Sequence, residues 1–409
     1  MDLPLKVLPL LSLSLLMPAA AIRMHAQAPV QASTARAGAL VAEIPFVLRG
    51  DHVMLRAGVN GHEGWLALDT GSSMSSLDAD WADTAAHVRV VSTGAQVQGS
   101  QSVRSSIGQA DSVRVGNVEL GATNMVLIPL GAVHRARGAY MHGTIGYDFL
   151  ARYVVEIDYA AQRLRLYDPA RWSYSGRGVE VPVNTQYRIP VVQATLTPAG
   201  GPPVTARMVL DLGSANFAVR LVAPFAAAHN LAALPGIDAP IGTGVGGTMV
   251  GRVARLESAS LGALRVNAPT AGIALRPEGF FGSTMVDGTI GAPVFRRTRM
   301  FIDYPHSRVI FETGPGFDAP FENDMSGMSV MGAPGEPVTV TYVVAGSPAA
   351  QAGIETGDVL VAVDGAPARP EEFDALRATF RSAPGATRRL TLRRGAETRE
   401  VTITLRRLV

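Results

Sequence analysis

The chain has 409 residues, 17% of them charged and 47% hydrophobic, which is the composition of a globular protein and not of a disordered one. It contains no cysteine, so disulfides, thiolate zinc sites and cysteine nucleophiles are excluded. The formal net charge is only +2 and the arginines are dispersed, which argues against a nucleic-acid-binding protein.

The N-terminus has the pattern of a secretory signal peptide. A single lysine precedes the apolar run Val7–Met17, which is of secretory length and too short to span a bilayer. Small residues that suit a cleavage site end at Ala21 and at Ala28, and an uncleaved membrane anchor is the alternative. We expect a signal peptide over 1–28, a linker or pro-segment over 29–40, and an exported protein, periplasmic or secreted, with no membrane span after cleavage.

Two aspartates occupy equivalent positions in an internal repeat. Asp69 lies in LALDTGSS, and Asp211 lies in MVLDLGSA. Farther along each copy, GTIGYDFL from Gly143 recurs as GTIGAPVF from Gly288. Short apolar runs separated by Gly and Asn turns predict that each copy is all-β. Two such copies related by a pseudo-two-fold axis would bring the two aspartates face to face.

With these motifs the two copies resemble the retropepsin-like aspartic peptidases, fused in tandem like the two lobes of the pepsins. In that family an apolar-apolar-Asp-Thr-Gly sequence is followed by a later apolar-Gly pair, here Ile145-Gly146 and Ile290-Gly291. The resemblance implies a mostly β fold, a bilobed acid-protease β-barrel architecture. Lobe 1 would cover 41–172 and lobe 2 would cover 178–315.

The resemblance also implies an aspartic endopeptidase that hydrolyses peptide bonds of exported proteins, with no metal or other cofactor. Asp69 and Asp211 would be the catalytic pair, sharing one proton and activating a water held between them. Which of the two carries the proton stays open at the level of sequence. The residues that would support the two loops are Thr70, Gly71, Ser72, Leu212, Gly213 and Ser214.

Three expectations concern these supporting residues. The glycines would let the backbone turn tightly so that the carboxylates reach the lobe interface. The hydroxyls of Ser72 and Ser214 would contact the carboxylates and favour ionisation, which predicts activity on the acid side of neutral. Leu212 replaces the family's usual threonine, which removes one of two buried hydrogen bonds at a cost of about 1 kcal/mol unless the leucine repacks apolar surface. This departure favours the alternative function, a catalytically weak protein of this fold that acts as a peptide-binding adaptor.

Two glycine-containing stretches lie where the substrate-covering hairpins, or flaps, of the two lobes would be. The first is STGAQVQGSQS, Ser92–Ser102, and the second is GTGVGGTMVG, Gly242–Gly251. The candidate flap glycines are Gly242, Gly244, Gly246 and Gly247. The second stretch also fits G-x-G-x-x-G, but no helix pattern follows it, so we reject a dinucleotide site. Ordinary glycine-rich hairpins are the alternative for both stretches.

The sequence after Met325 changes in character. The stretch from Val343 to Gly365 resembles the core of bacterial PDZ domains, and EEFDALRATFR has the spacing of an amphipathic helix, so we expect a PDZ domain over 326–409. Such domains bind peptide C-termini by adding a strand to a sheet edge, and the alternative is that this one only packs against the lobes. Candidate carboxylate-binding residues are Gly327, Met328, Ser329 and Val330. The expected partners are polypeptide substrates and peptide C-termini, with no nucleic acid, and the chain is expected to be a monomer.

Overall fold

The structure is a computed structural model, and it describes residues 39–314 and 316–409. The predicted signal peptide (1–28), both predicted cleavage sites and most of the predicted linker (29–40) lie outside the described residues. Within the described residues, no helix has both the length and the apolar character needed to cross a membrane.

The first unit of the repeat is built of strands joined by turns, and its first strand alternates buried and exposed side chains. Its strands are β1 Leu40–Arg49, β2 His52–Val59, β3 His62–Leu68, β4 Ser76–Asp78, β5 Arg89–Gln98, β6 Ser102–Val115, β7 Val118–Ile128, β8 Gly143–Ile145, β9 Val154–Asp158 and β10 Arg163–Tyr167. Its helices are α1 Ala79–Thr84, α2 Gly131–Arg137 and α3 Tyr147–Leu150.

The second unit has a similar succession of elements. Its strands are β11 Val179–Pro182, β12 Val191–Pro198, β13 Val204–Asp211, β14 Val219–Leu221, β15 Gly236–Gly244, β16 Gly247–Leu261, β17 Leu264–Asn267, β18 Thr270–Ile273, β19 Gly288–Gly291, β20 Thr298–Asp303 and β21 Arg308–Thr313. Its helices are α4 Ala223–Ala228 and α5 Ala292–Phe295, with 3₁₀ turns at Leu231–Ala233, Gly279–Gly282 and Tyr304–His306. The succession differs in that β17 and β18 take the place of β7, and the 3₁₀ turn at Gly279–Gly282 takes the place of α2.

The sequence repeat is also a repeat of strand pairing. In the first unit β3, which leads to Asp69, runs parallel to β8, with Leu66 opposite Gly143. In the second unit β13, which ends in Asp211, runs parallel to β19, with Met208 opposite Gly288. In both units a short strand, β4 or β14, then pairs antiparallel with the repeated Gly-Thr-Ile strand. Each aspartate is therefore presented by the same local arrangement of strands.

The two units meet in a shared antiparallel sheet whose strand order is β11-β21-β20-β9-β10-β1. Where β20 pairs with β9, Met300 lies opposite Ile157 and Ile302 lies opposite Val155. Val155 is the repeat counterpart of Met300, and Ile157 is that of Ile302, so the register is self-complementary. This is the contact that a two-fold axis between equivalent strands produces.

The PDZ region has its own sheet and its own apolar core. Its strands are β22 Met328–Met331, β23 Thr339–Val343, β24 Val359–Val363, β25 Ala366–Pro367, β26 Thr387–Arg394 and β27 Glu397–Thr404. Its helices are α6 Pro348–Gln351 and α7 Phe373–Phe380, with a 3₁₀ turn at Pro370–Glu372. The strand order is β22-β23-β24-β26-β27, with β25 beside β24. Helix α7 buries Phe373, Leu376 and Phe380, as the helical spacing predicts.

The apolar core of the lobes is continuous across them, since one cluster of buried side chains includes Leu68 from the first unit and Leu210 from the second. The lobes and the PDZ region also belong to one compact unit. Because this unit is not divided further, the structure does not test the domain boundaries predicted from the sequence, and they stay predictions.

Candidate active site

Asp69 and Asp211 meet where the two lobes touch. The amide of Asp69 donates to the carbonyl of Ile145 at 2.9 Å, which ties its loop to the repeated strand β8. The two carboxyl groups are hydrogen-bonded to each other. Both line one cavity of about 1530 Å³, and Asp211 is only 9% exposed. The structure thus brings the two aspartates of the repeat into a single site.

Each loop glycine makes room for the opposite carboxylate. A Cβ atom on Gly71 would lie 2.7 Å from Oδ1 of Asp211, and one on Gly213 would lie 2.7 Å from Oδ1 of Asp69. Neither glycine has a positive φ, so the expected tight backbone turn is not what requires glycine here. The requirement is the close approach of the two loops, which leaves no space for a side chain.

The carboxylates are held by backbone amides and not by the serine hydroxyls. The amide of Gly71 donates to Asp69 Oδ1 and that of Gly213 donates to Asp211 Oδ1, both at 2.9 Å. The expected hydroxyl contacts are wrong, because other polar groups engage both serines. Ser72 Oγ donates to the carbonyl of Met74 at 2.8 Å, and Ser214 Oγ accepts from Thr289 Oγ1 at 3.3 Å.

Thr70 links the two loops across the lobe interface. Its hydroxyl donates to the carbonyl of Leu210 at 2.6 Å and accepts from the amide of Leu212 at 2.9 Å. Leu212 has no hydroxyl to return these bonds, so one half of the symmetric arrangement is absent. Its side chain is instead 1% exposed and packs in the core shared by the lobes. Apolar packing of Leu212 therefore takes the place of the hydrogen bonds that a threonine would make. This is one of the two outcomes expected from the sequence.

The two carboxyl groups have unequal surroundings. Burial, and after it the negative charge of Asp211, raises the pKa of Asp69 to about 7. Burial also raises the pKa of Asp211, but the guanidinium of Arg220 opposes that rise, with Nη2 3.4 Å from Oδ2. The shared proton is therefore favoured on Asp69 and the negative charge on Asp211.

Two arginines near the dyad are absent from the sequence-based site. Arg220 lies on β14, its side chain is 19% exposed, and its guanidinium carbon lies 5.8 Å from the ring centre of Phe281. Arg137 ends α2, where its charge lowers the pKa of Asp69 and burial lowers its own pKa to about 10. Arg220 interrupts the apolar stretch FAVRL, and a charge in a buried strand signals a partner. Arg137 gives no such signal, because a basic residue at a helix C-terminus is ordinary.

His52 supports the second loop from the first lobe. Its Nε2 lies 3.1 Å from the carbonyl oxygen of Gly213. Burial lowers the pKa of His52 well below its usual value, so the ring is neutral and Nε2 carries the donated hydrogen. Among the described residues no group of three or more acidic or histidine side chains is arranged to hold a metal.

Two hairpins cover the cavity and meet at their tips. We call β5 with β6 the first flap and β15 with β16 the second flap; they contain the two stretches predicted from the sequence. At the first tip, the Ser100 amide donates to the carbonyl of Val245 at 3.0 Å. The Ser100 hydroxyl donates to the carbonyls of Val245 at 3.0 Å and Gly247 at 2.7 Å. The tips are thus joined across the cavity.

The four candidate flap glycines differ in what requires them. Gly246 and Gly247 form the turn of the second flap with φ of +95° and +108°. A Cβ on Gly242 would lie 2.9 Å from Nη1 of Arg220, so this glycine leaves room for the arginine beside the dyad. Gly244 has open space around it.

The predicted carboxylate loop of the PDZ domain is occupied from within. Asp324 Oδ1 accepts from the amides of Ser326 at 2.9 Å and Gly327 at 2.8 Å. The amide of Met328 donates to the hydroxyl of Ser326 at 3.2 Å. The amides of Gly327 and Met328 thus have partners within the loop, and the predicted carboxylate-binding role stays a prediction. Met328, Ser329 and Val330 line the cavity that holds the aspartates.

Comparison with known families supports the resemblances seen in the first lobe and in the C-terminal region. Residues 55–149, which include Asp69, match the family model described as aspartyl protease. Residues 339–394 match the model described as PDZ domain. No curated protein matches the chain. The chain therefore contains an aspartyl protease domain in its first lobe and a PDZ domain after its second lobe.

Proposed function

We propose that this protein is an aspartic endopeptidase that hydrolyses peptide bonds of polypeptides with Asp69 and Asp211 as its catalytic pair. The observation that carries the proposal is the contact of the two carboxyl groups in one cavity beneath two flaps. Two equivalent loops from the two lobes, each with its own aspartate, supply the whole dyad from a single chain.

In the proposed mechanism Asp211 is the ionised member, with Arg220 beside it, and takes a proton from a water held between the two carboxyl groups. Asp69 is protonated and donates to the carbonyl of the bond to be cleaved, which stabilises the developing oxyanion. The water oxygen attacks the carbonyl carbon directly and gives a tetrahedral diol, so no covalent enzyme intermediate forms. The C–N bond then breaks as Asp211 passes the proton it took from water to the leaving nitrogen and Asp69 regains a proton from the diol. As the pH rises through about 7, Asp69 loses its proton and activity falls.

Export, substrate recruitment and the oligomeric state are part of the same proposal. The N-terminal pattern supports export to the periplasm or the medium. The PDZ match supports a role for that domain in holding polypeptide substrates. A chain that carries both aspartates needs no second copy to complete the dyad, which supports a monomer.

The test is digestion of an unfolded protein between pH 4 and pH 8 by the wild type and by Asp69→Asn, with and without pepstatin. The asparagine keeps the size of the side chain but removes the acid, so we expect cleavage to fall by about 10³-fold. We also expect pepstatin to inhibit the wild type, and activity to decline above about pH 7. Undiminished cleavage by Asp69→Asn would exclude this dyad.

A catalytically weak peptide-binding protein is the second candidate, and Leu212 is the residue that favours it. The same digestion separates the two functions. Such a protein would bind the unfolded substrate with no more cleavage in the wild type than in Asp69→Asn.

A further inference from the structure

Arg137 lines the cavity of the dyad with no anion in contact with its guanidinium. It is the last residue of α2 and lines the same cavity as Asp69. Its Nη1 lies 3.8 Å from Sδ of Met54, and among the described residues no carboxylate forms an ion pair with it. A thioether sulfur is only a weak acceptor and carries no charge, so this contact does not neutralise the arginine.

The carboxylates that line this cavity already have partners of their own. Asp51 pairs with Arg296 at 3.1 Å, and Asp374 accepts from the amide of Gly50 at 2.8 Å. The other lining carboxylates, which bind the amides of their own loop, an arginine outside the lining, or each other, are Asp324, Glu322, Asp69 and Asp211. A carboxylate that pairs with Arg137 would therefore come from a bound molecule.

The end of α2 is fixed, so the position of Arg137 is fixed with it. The carbonyl of Arg135 accepts from the amide of Gly332 at 2.9 Å, and the carbonyl of Ala136 accepts from Nη2 of Arg377. Both donors belong to the PDZ domain. The backbone that carries Arg137 is therefore held at two successive residues just before it, which keeps the guanidinium near the dyad.

The surroundings of Arg137 favour the binding of an anion. Burial lowers its pKa to about 10; the charge of Asp69 opposes this, and the charge of Arg377 adds to it. The guanidinium is thus still positive near neutral pH, but its charge is only partly compensated. A cation in such a place gains more from a bound carboxylate than an exposed cation does. Because the charge of Arg137 lowers the pKa of Asp69, the bound carboxylate would lie on the Asp69 side of the dyad.

Other arginines of the cavity are less suited to this role. Arg220 already has Asp211 as its partner, at 3.4 Å. Arg381 also forms no ion pair within the part of the chain that the structure describes, but its charge acts on Asp51 and Asp324. Arg381 therefore serves as a comparison in the experiment below.

We propose that Arg137 binds a carboxylate of the polypeptide substrate, so that the part of the cavity beside Asp69 selects an acidic side chain or the chain's terminal carboxylate. A guanidinium holds both oxygens of a carboxylate through parallel N–H···O bonds, which a neutral amide of the same shape does not reproduce. This inference rests on the proposed peptidase function and names the chemistry of its substrates. Its test therefore measures binding separately from cleavage.

The experiment measures peptide affinities by fluorescence anisotropy on the Asp69→Asn background, in which the proposed dyad is disabled. The peptides have about eight residues, roughly 27 Å when extended, and are neutral and blocked at both ends. One glutamate is moved through all positions, and a second set carries glutamine instead. At about pH 6 the glutamate is ionised. We expect glutamate to bind about tenfold more tightly than glutamine at one position, through its charged hydrogen bonds.

A second comparison identifies the source of the carboxylate. The same neutral peptide is measured with a free and with an amidated C-terminus, so that a terminal carboxylate is distinguished from an acidic side chain. Arg137→Gln should bring whichever preference is found to a ratio of about one, while the neutral peptides still bind and show that the variant is folded. Arg137→Lys keeps the charge but not the paired donors, so it should keep part of the preference.

The matched control is Arg135→Gln, the same change two residues earlier on α2. The side chain of Arg135 is 56% exposed and pairs with Glu336 at 3.4 Å, so we expect the preference to stay. Arg381→Gln should keep it as well. Equal affinities in every comparison, or a preference that persists in Arg137→Gln, would overturn the inference. A preference that depends on Arg137 in a chain that fails the digestion test would count against the peptidase and not against this binding site.

Discussion

Arg220 makes the two aspartates of the dyad electrostatically different. Its guanidinium lies 3.4 Å from Asp211, and Arg137 acts on Asp69 only through its more distant charge. A cation in contact with a buried carboxylate stabilises the ionised form of that group far more than it would in water. The electrostatic difference between the two lobes thus comes from one side chain that the repeat does not duplicate.

We predict that Arg220→Gln shifts the whole pH profile of cleavage upward. The lost positive charge favoured the carboxylate over the acid, so both apparent pKa values of the dyad rise, by about one unit. The acid limb and the basic limb of kcat/KM should therefore both move to higher pH. Arg265→Gln, at a side chain that is 55% exposed on β17, is the control and should leave the profile in place. A downward shift would contradict the assigned role.

The serines show why residue type alone does not assign a contact. Ser72 and Ser214 follow the loop glycines at equivalent positions, so their hydroxyls were expected to serve the carboxylates. Other polar groups, the carbonyl of Met74 and the hydroxyl of Thr289, lie within hydrogen-bond distance and engage them. A hydroxyl rotates toward the nearest acceptor or donor that the fold provides. The identity of that partner cannot be predicted from the Asp-x-Gly-Ser sequence alone.

At the scale of elements, the two flaps are joined by their tips. Ser100 of the first flap is the donor of every hydrogen bond described between the tips, and all acceptors are carbonyls of the second flap. Gly99 and Gly246 permit this approach, since a Cβ on Gly99 would lie 2.1 Å from the carbonyl oxygen of Val245. If the protein is a peptidase as proposed, these bonds would have to open for a substrate to enter.

We predict that Ser100→Ala loosens both flap tips. It removes the hydroxyl bonds and keeps the amide bond, a loss of about 1 kcal/mol, so amide exchange at the two tips should rise about fivefold. Hydrogen–deuterium exchange followed by mass spectrometry measures this. Thr248→Ala is the control, because its hydroxyl bonds to Thr243 within the second flap alone. Equal exchange in the two variants would show that the Ser100 hydroxyl does not join the flaps.

In the molecule as a whole, the PDZ domain is packed onto the two lobes. Gly138 follows α2 with φ of +67°, and a Cβ there would lie 1.9 Å from the carbonyl oxygen of Pro370 in the PDZ domain. Gly121 has nearly the same φ, +68°, but no atom within 4 Å of the equivalent position. The two glycines share a backbone conformation, but only Gly138 is also a point of contact between domains.

We predict that Gly138→Ala loosens this packing and Gly121→Ala does not. Both pay about 1 kcal/mol for a left-handed residue with a Cβ. Only the first adds a clash, worth about 1–3 kcal/mol more. Thermal unfolding should show the larger loss for Gly138→Ala, and limited proteolysis should release its PDZ domain faster. Equal behaviour of the two variants would mean that the contact with Pro370 contributes nothing to docking.

The local and the repeated features of this protein could be predicted from the amino-acid sequence. Periodic apolar residues and glycine turns specify strands and hairpins over a few residues, and the repeat places Asp69 and Asp211 in equivalent loops. These features depend on neighbours close in the chain, or on the equivalence of two copies. The two predicted flap stretches lie in hairpins because a hairpin is specified by residues that are close in the chain. The PDZ domain was recognised from a local sequence pattern in the same way.

The contacts between segments that are distant in the chain are known only from the folded structure. The contact of the two carboxyl groups, the place of Arg220 beside Asp211, the joined flap tips and the closure of the PDZ loop by Asp324 each depend on atoms brought together by packing. The partners in the first three lie on separate strands or lobes, and no short-range pattern encodes their approach. The loop closure is local in sequence, but which acceptor those amides take depends on the backbone conformation that the packed domain imposes.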